Sequence, residues 1–116
     1  MNILLTGANG FLGHHLVDRV SGEIDKINKQ KEYYGDDLYR LFTPPSVQMN
    51  CLDYDEVYYY CLYNDINAII HLAAECGGIG INQRKPADFF LHNAQMSLNV
   101  LKVSHELNLK KTVTLG

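Results

Sequence analysis

Near the start of the chain, Gly7, Gly10 and Gly13 stand at Gly-x-x-Gly-x-x-Gly spacing, directly behind the apolar run Ile3-Leu4-Leu5. Glycines placed this way can hold a diphosphate. Gly7 permits a tight turn at a strand end, Gly10 lets backbone approach a phosphate with no Cβ in the way, and Gly13 lets the next helix pack closely. The helix that opens there offers unpaired N–H groups and a positive dipole end to an anion. The first step is one residue wider than in Gly-x-Gly-x-x-Gly. A turn without a ligand would use the same glycines, so context decides. A strand before them and the helical spacing of Phe11, Leu12, Leu16, Val17 and Val20 after them favour a dinucleotide.

Other residue types carry less. His14, His15, His71, His92 and His105 form no metal-ligand spacing, so no metal site is expected. Tyr58-Tyr59-Tyr60 has no basic groups beside it and reads as helix packing rather than a base-stacking platform. Cys51, Cys61 and Cys76 are an odd number at unrelated spacings, which fits a reducing compartment and no disulfide framework. At 116 residues the chain is one domain, and its net charge of −3 gives no reason to expect a nucleic-acid partner. No apolar run approaches the roughly 20 residues of a membrane helix, and no basic segment precedes a long apolar stretch as in a signal peptide. The expectation is a cytoplasmic protein with no membrane partner.

The elements that must position the glycines follow from periodicity. Asn2 to Thr6 reads as a strand and Gly10 to Ile24 as a helix. Asp25 to Asp37 is polar and reads as a connection. Leu38 to Phe42 is a second strand, closed by Pro44-Pro45. Asp53-Tyr54-Asp55-Glu56 has the form of a capping box for a helix to Tyr63, with Val57, Tyr60 and Cys61 on one face. Ala68 to Ala74 is a short, continuous apolar strand suited to a parallel sheet. Pro86 opens a helix to Leu107, with Phe90, Ala94, Leu98 and Leu101 on its buried face. Lys111 to Leu115 is a fourth strand. The order βαβαβαβ predicts an α/β fold: a Rossmann-type, doubly wound parallel sheet, incomplete at four strands, with helices on both faces. Its ligand would sit at the carboxyl ends of the strands, beside the first.

At this level of detail the chain resembles a known family. Thr6-Gly7-Ala8-Asn9-Gly10-Phe11-Leu12-Gly13, Asp53 and His71-Leu72-Ala73-Ala74 are similar to extended short-chain dehydrogenases, the NAD-dependent epimerase/dehydratase family. Gly77-Gly78-Ile79, Asn82, Pro86-Ala87-Asp88-Phe89, Asn93 and Asn99 narrow the resemblance to its GDP-L-fucose synthase branch, N-terminal part only. The resemblance implies that Gly7, Asn9, Gly10, Phe11, Leu12 and Gly13 cradle the cofactor pyrophosphate. Asp53 would accept from the adenine amino group, or else serve only as a helix cap. Leu72, Ala73 and Ala74 would pass under the cofactor and Asn93 would reach it from the long helix. Gly77, Gly78 and Asn82 would border a nucleotide-sugar substrate. The family tends to use NADP. The second strand ends Phe42-Thr43-Pro44-Pro45, with neither an acid nor a base there, so NAD stays open.

The family's chemistry also needs a Tyr-x-x-x-Lys pair and a Ser or Thr. No tyrosine of this sequence has a lysine four residues on. The resemblance places the serine just after the strand that ends at Gly116. The expectation is therefore a cofactor-binding portion without the catalytic segment or the substrate domain, inactive alone and open to self-association. A non-catalytic NAD(P) sensor, a fragment of another nucleotide-sugar epimerase or dehydratase, and a nonfunctional remnant remain as alternatives.

Overall fold

The structure, a computed structural model, describes residues 1–35, 37–75 and 86–114; the side chains of Phe11, Tyr33 and Pro86 fall outside that description. Its elements run β1 (Asn2–Thr6), α1 (Phe11–Tyr34), β2 (Arg40–Phe42), α2 (Tyr54–Tyr63), β3 (Ala68–His71), α3 (Pro86–Glu106) and β4 (Lys111–Thr114). All strand pairs are parallel, in the order β2-β1-β3-β4. The chain runs from β1 to β2 on one side and then crosses back over β1 to β3 on the other. This is the strand-order reversal at which α/β sheets bind ligands.

Right-handed crossovers put α1 on one face and α2 with α3 on the other. The larger core lies on the second face. Leu4 and Ile69 from the sheet meet Val57 and Cys61 of α2 and Met96, Val100 and Val103 of α3, with Met49, Cys51 and Ile66 closing the edges. Register β1 to β3 runs from Ile3 opposite Ala68 to Thr6 opposite His71. Thr6 and His71 thus stand side by side at the carboxyl edge.

Several expected boundaries move. Helix α1 continues through the stretch expected to be a connection and stops at Gly35, which takes a left-handed conformation at φ 76°. Half of residues 25–34 are strong helix formers (Lys26, Lys29, Gln30, Lys31 and Glu32), and the run of polar residues marks a solvated helix face rather than a loop. Tertiary contact fixes the extension: the Asn28 carboxamide donates to Tyr39 O at 2.8 Å and accepts from Tyr39 N at 2.6 Å. Because Tyr39 is held this way, β2 starts at Arg40 rather than Leu38. Strand β3 stops at His71, so Leu72-Ala73-Ala74 lies just beyond the sheet.

Helix α3 corrects the expected face. Met96, Asn99, Val100 and Val103 are buried, whereas Phe90, Leu98 and Leu101 are exposed. The helix carries two apolar stripes, and periodicity alone does not rank them. The more compact stripe fits between α2 and the sheet, where the Ser104 hydroxyl hydrogen-bonds the Thr112 hydroxyl.

The capping box is half-formed. Asp53 Oδ1 accepts from Asp55 N at 3.0 Å and Glu56 N at 3.3 Å. Glu56 does not return to Asp53 N–H; it accepts from Asn50 N at 3.2 Å, while Asp53 N donates to Asn50 O. The Asp53 cap should matter in proportion to those bonds. Asp53→Ala is expected to cost about 1 kcal/mol, read as a lower urea midpoint at unchanged slope.

Candidate functional site

The first wall of the site is the turn Gly7–Gly10. Gly7 has φ 77° and its carbonyl accepts from Gly10 N at 3.0 Å. Close approaches fix two of the three glycines. A Cβ on Gly7 would lie 2.6 Å from Ala73 N, and a Cβ on Gly13 would lie 1.8 Å from Gly7 O. Gly13 therefore seats the helix on its own turn rather than on the sheet as such. Gly10 is different: an added Cβ would meet only Gly7 O, at 3.3 Å. It is the N-cap of α1, contributes no side-chain cap, and no acid stands in the first helical turn. The leading N–H groups of a helix have no partner within it. Among the described residues no side chain takes that role at the cap, so the dipole end suits a bound anion.

The second wall comes from the segment after β2 and the third from the segment after β3. Together with the turn they enclose a cavity of about 680 Å³, into which Met96 of α3 also projects. Gly7, Asn9, Gly10, Leu12, Leu72, Ala73 and Ala74 all line it. Gly13 and Asp53 do not, being held in the turn and at the α2 cap. Nor does Asn93 line it. Its carboxamide takes both backbone groups of Glu75, accepting from Glu75 N at 2.7 Å and donating to Glu75 O at 3.1 Å. Gly77, Gly78 and Asn82, expected near a substrate, lie outside the described residues, as do Cys76 and Gly116.

Sequence reasoning missed the second wall: Pro44, Pro45, Ser46, Met49, Cys51 and Leu52. A usable signal existed. Residues immediately after each strand of a parallel sheet face the ligand crevice, and residues 43–47 follow β2. Glu75 was missed too, and it is the one charged side chain among the described residues of the wall. Its Oε2 lies 2.8 Å from His92 Nδ1.

Burial sets the chemistry of the remaining groups. It pushes the Cys51 thiol up to about 11 and the Cys61 thiol to about 12, so both are protonated thiols at neutral pH and poor nucleophiles. Among the described residues no cluster of three metal-binding side chains occurs. Burial also lowers the pKa of His71 below its ordinary 6.5. An unfolded chain takes up that proton near pH 6.5 while the folded chain resists it. Stability should therefore hold above pH 6.5 and fall as the pH drops below it, by at most about 1.4 kcal/mol per pH unit for this group. Urea midpoints at pH 7.5 and 5.5 test this, with His71→Leu expected to flatten the difference.

A parallel α/β sheet with a glycine turn, an uncapped helix N-terminus and a deep crevice at its strand-order reversal defines a nucleotide-binding Rossmann-type fold. Residues 3–116 match the model of the NAD dependent epimerase/dehydratase family, and the chain belongs to that family. It is 32% identical over 116 residues to GDP-L-colitose synthase of Yersinia pseudotuberculosis, covering 100% of this chain and 33% of that protein. It is 30% identical over 90 residues to GDP-L-fucose synthase of Escherichia coli (strain K12), covering 78% and 27% respectively. A GDP-L-fucose synthetase from Naegleria fowleri, solved bound to NADP, superposes with a TM-score of 0.68 at 25% identity, covering 97% of this chain and 32% of that one. The chain thus spans about a third of the length of the curated relatives it matches. No helix among the described residues is long and apolar enough to cross a membrane.

Proposed function

We propose that this chain is the NADP-binding portion of a nucleotide-sugar epimerase-reductase acting on a GDP-linked sugar, of the GDP-L-fucose or GDP-L-colitose synthase type. The observation that carries it is the crevice itself, formed by the glycine turn, the uncapped start of α1 and the Leu72–Ala74 segment at the carboxyl edge of the sheet. Bound there, a nicotinamide cofactor supplies hydride transfer. The chain's own residues bind and orient it. Backbone N–H groups at the start of α1 would hold the pyrophosphate, and Leu72, Ala73 and Ala74 would pass beneath the cofactor, the two alanines leaving room for it. Among the described residues Asp53 caps α2 through Oδ1 alone, so Oδ2 remains for an adenine amino group.

Two features favour NADP over NAD. The wall after β2 carries no carboxylate among its described residues to repel a 2′-phosphate, and the Naegleria fowleri relative was solved with NADP. These 116 residues hold no Tyr-x-x-x-Lys pair. The proposal therefore assigns acid–base chemistry to residues outside them, and to the same region the contacts that choose the sugar. Self-association belongs to the proposal as well. Leu91, Leu98 and Leu101 on the outer stripe of α3 are exposed, and with Ala94 they repeat at coiled-coil spacing. Sedimentation velocity reads that directly.

The deciding experiment is titration of the chain with NADPH and NADH, followed by fluorescence and by thermal shift. Saturable binding, tighter for NADPH, is expected. No shift with either cofactor at millimolar concentration would overturn the reading and leave a remnant of the fold.

A further inference from the structure

The tyrosines of α2 divide into two sets. Tyr54, Tyr58 and Tyr60 pack against the core around Val57 and Cys61. Tyr59 and Tyr63 take no part in that core, nor does Leu62, and all three are exposed, Tyr63 to 76%. Helical spacing puts them on one outward face together with Asp55 and Glu56. The Tyr59 and Tyr63 rings are stacked, with centroids 5.7 Å apart and planes 20° apart, and the Tyr58 ring braces Tyr59 edge-on at 5.2 Å. The exposed rings are therefore ordered by the chain itself, and Tyr63 turns its outer ring face to solvent.

This face collects negative charge and negative dipole. The face of an aromatic ring is the negative side of its quadrupole. The carboxyl end of a helix is negative as well, and a basic residue in the last turn is the usual answer to it; α2 has none there. Asp65 follows instead. It is exposed, at φ 51°, in a turn fixed by the Asn2 carboxamide, which donates to Asn64 O at 3.0 Å and to Asp65 O at 3.1 Å. Asparagine would serve that turn equally well, so the charge is not needed for the backbone. Asp55 and Glu56 close the other end of the face. No lysine or arginine occurs in residues 41–83. Two cations from other elements reach the same edge of the sheet. The Met1 ammonium donates to Leu38 O, and Lys110 donates through its backbone N–H to Asn67 O. Among the described residues neither forms an ion pair with Asp65.

We propose that the outer face of α2 docks an arginine-bearing segment of a different polypeptide chain, with the guanidinium over the Tyr59 and Tyr63 rings and bonded to the Asp65 carboxylate. Arginine suits it better than lysine, because a planar guanidinium stacks on rings and meets a carboxylate with two N–H groups at once. Leu62 takes an apolar group beside the arginine. The strip from Asp55 to Asp65 is about 15 Å long, which is room for a peptide rather than for one side chain. Its small area suits a weak, transient contact. The strip runs toward the amino edge of the sheet, away from the crevice, so the proposal stands apart from the cofactor reading.

Titration of the nitrogen-15-labelled chain with an acetylated, amidated peptide of alternating glycine and arginine tests it. Saturable amide shifts at Tyr59, Leu62, Tyr63 and Asp65 are expected, and the matching glycine–lysine peptide should bind more weakly. Tyr63→Ala and Asp65→Asn should each weaken arginine-peptide binding about threefold or more, whereas Tyr63→Phe keeps the ring and should stay near the parent. Tyr63 is exposed and asparagine accepts the left-handed turn, so both weakened variants should keep the parent's amide spectrum elsewhere. The absence of saturable shifts on this face overturns the proposal. So do shifts spread over other acids such as Asp18, Glu23 and Asp25 with both variants at parent affinity, which is general attraction between opposite charges. Free arginine binding as tightly as the peptide, per guanidinium, would make this a small-cation site instead. Concentration-dependent sedimentation that Tyr63→Ala abolishes would assign the face to a second copy of this chain. Either result rejects the proposed occupant.

Discussion

Gly13→Ala should destabilise the chain by about 3 kcal/mol or more and abolish the proposed cofactor binding, while Gly22→Ala in the same helix should stabilise it by about 1 kcal/mol. Both glycines stand inside α1, where alanine is intrinsically the better helix former. Around Gly22 an added methyl meets nothing within 4 Å, so propensity alone sets the sign. At Gly13 the methyl would lie 1.8 Å from Gly7 O. That oxygen is backbone and has little room to yield. Gly7 is held by its left-handed φ and by its packing on the Leu72–Ala73 peptide, and its carbonyl is bonded to Gly10 N. Relief requires moving the turn or tilting the helix start, and either change displaces the N–H groups that face the crevice. Urea unfolding of the two variants beside the parent reads both signs in one experiment. Parent-like stability in Gly13→Ala would mean that the turn is not packed as described.

That contrast shows what the sequence made legible. Spacing announced the glycine turn because strand, turn and helix each have a local signature, and the helix start is dictated within a few residues. The βαβαβαβ order was readable for the same reason, and parallel pairing with right-handed crossovers then followed from general rules. Distinctions that depend on tertiary partners were not readable. Nothing local tells Gly13, jammed against Gly7, from Gly22, which faces open space. Helix α1 outran its expected end because Asn28 captures Tyr39 across a loop. In α3 two apolar stripes competed, and only the presence of α2 beside it decides for Val100 and Val103. Asn93 was expected at the cofactor, yet its carboxamide completes the backbone of Glu75, a pairing that a separation of eighteen positions conceals. The wall after β2 was legible in principle, from the rule that crevices lie beyond strand ends, but proline and serine announce no chemistry of their own.

Asn99 gives the second large effect. It is 2% exposed, donates through Nδ2 to Cys51 O at 2.9 Å and accepts through Oδ1 from Gln95 Nε2 at 2.8 Å. This bond holds the Cys51–Leu52 backbone, part of the crevice wall, to α3. Asn99→Asp keeps the shape and the Gln95 bond but replaces the donor with a carboxylate oxygen facing a carbonyl oxygen. A buried charge with one neutral partner and a lost hydrogen bond should together cost about 3–5 kcal/mol at pH 7.5. The pH dependence identifies the cause. Burial and the facing carbonyl raise the carboxyl pKa in the folded variant above its unfolded value of about 3.9. The folded variant then binds a proton more readily than the unfolded one, so the penalty is full above the folded pKa and shrinks as the pH falls toward 3.9. A protonated carboxyl can again donate to Cys51 O. The gap in urea midpoint between Asn99→Asp and the parent should therefore narrow from pH 7.5 to pH 5, the opposite sense to the His71 effect, which both proteins share and the difference removes. Asn99→Ala should show a smaller gap that does not change with pH. A pH-independent gap in Asn99→Asp would assign the loss to altered packing rather than to the buried charge.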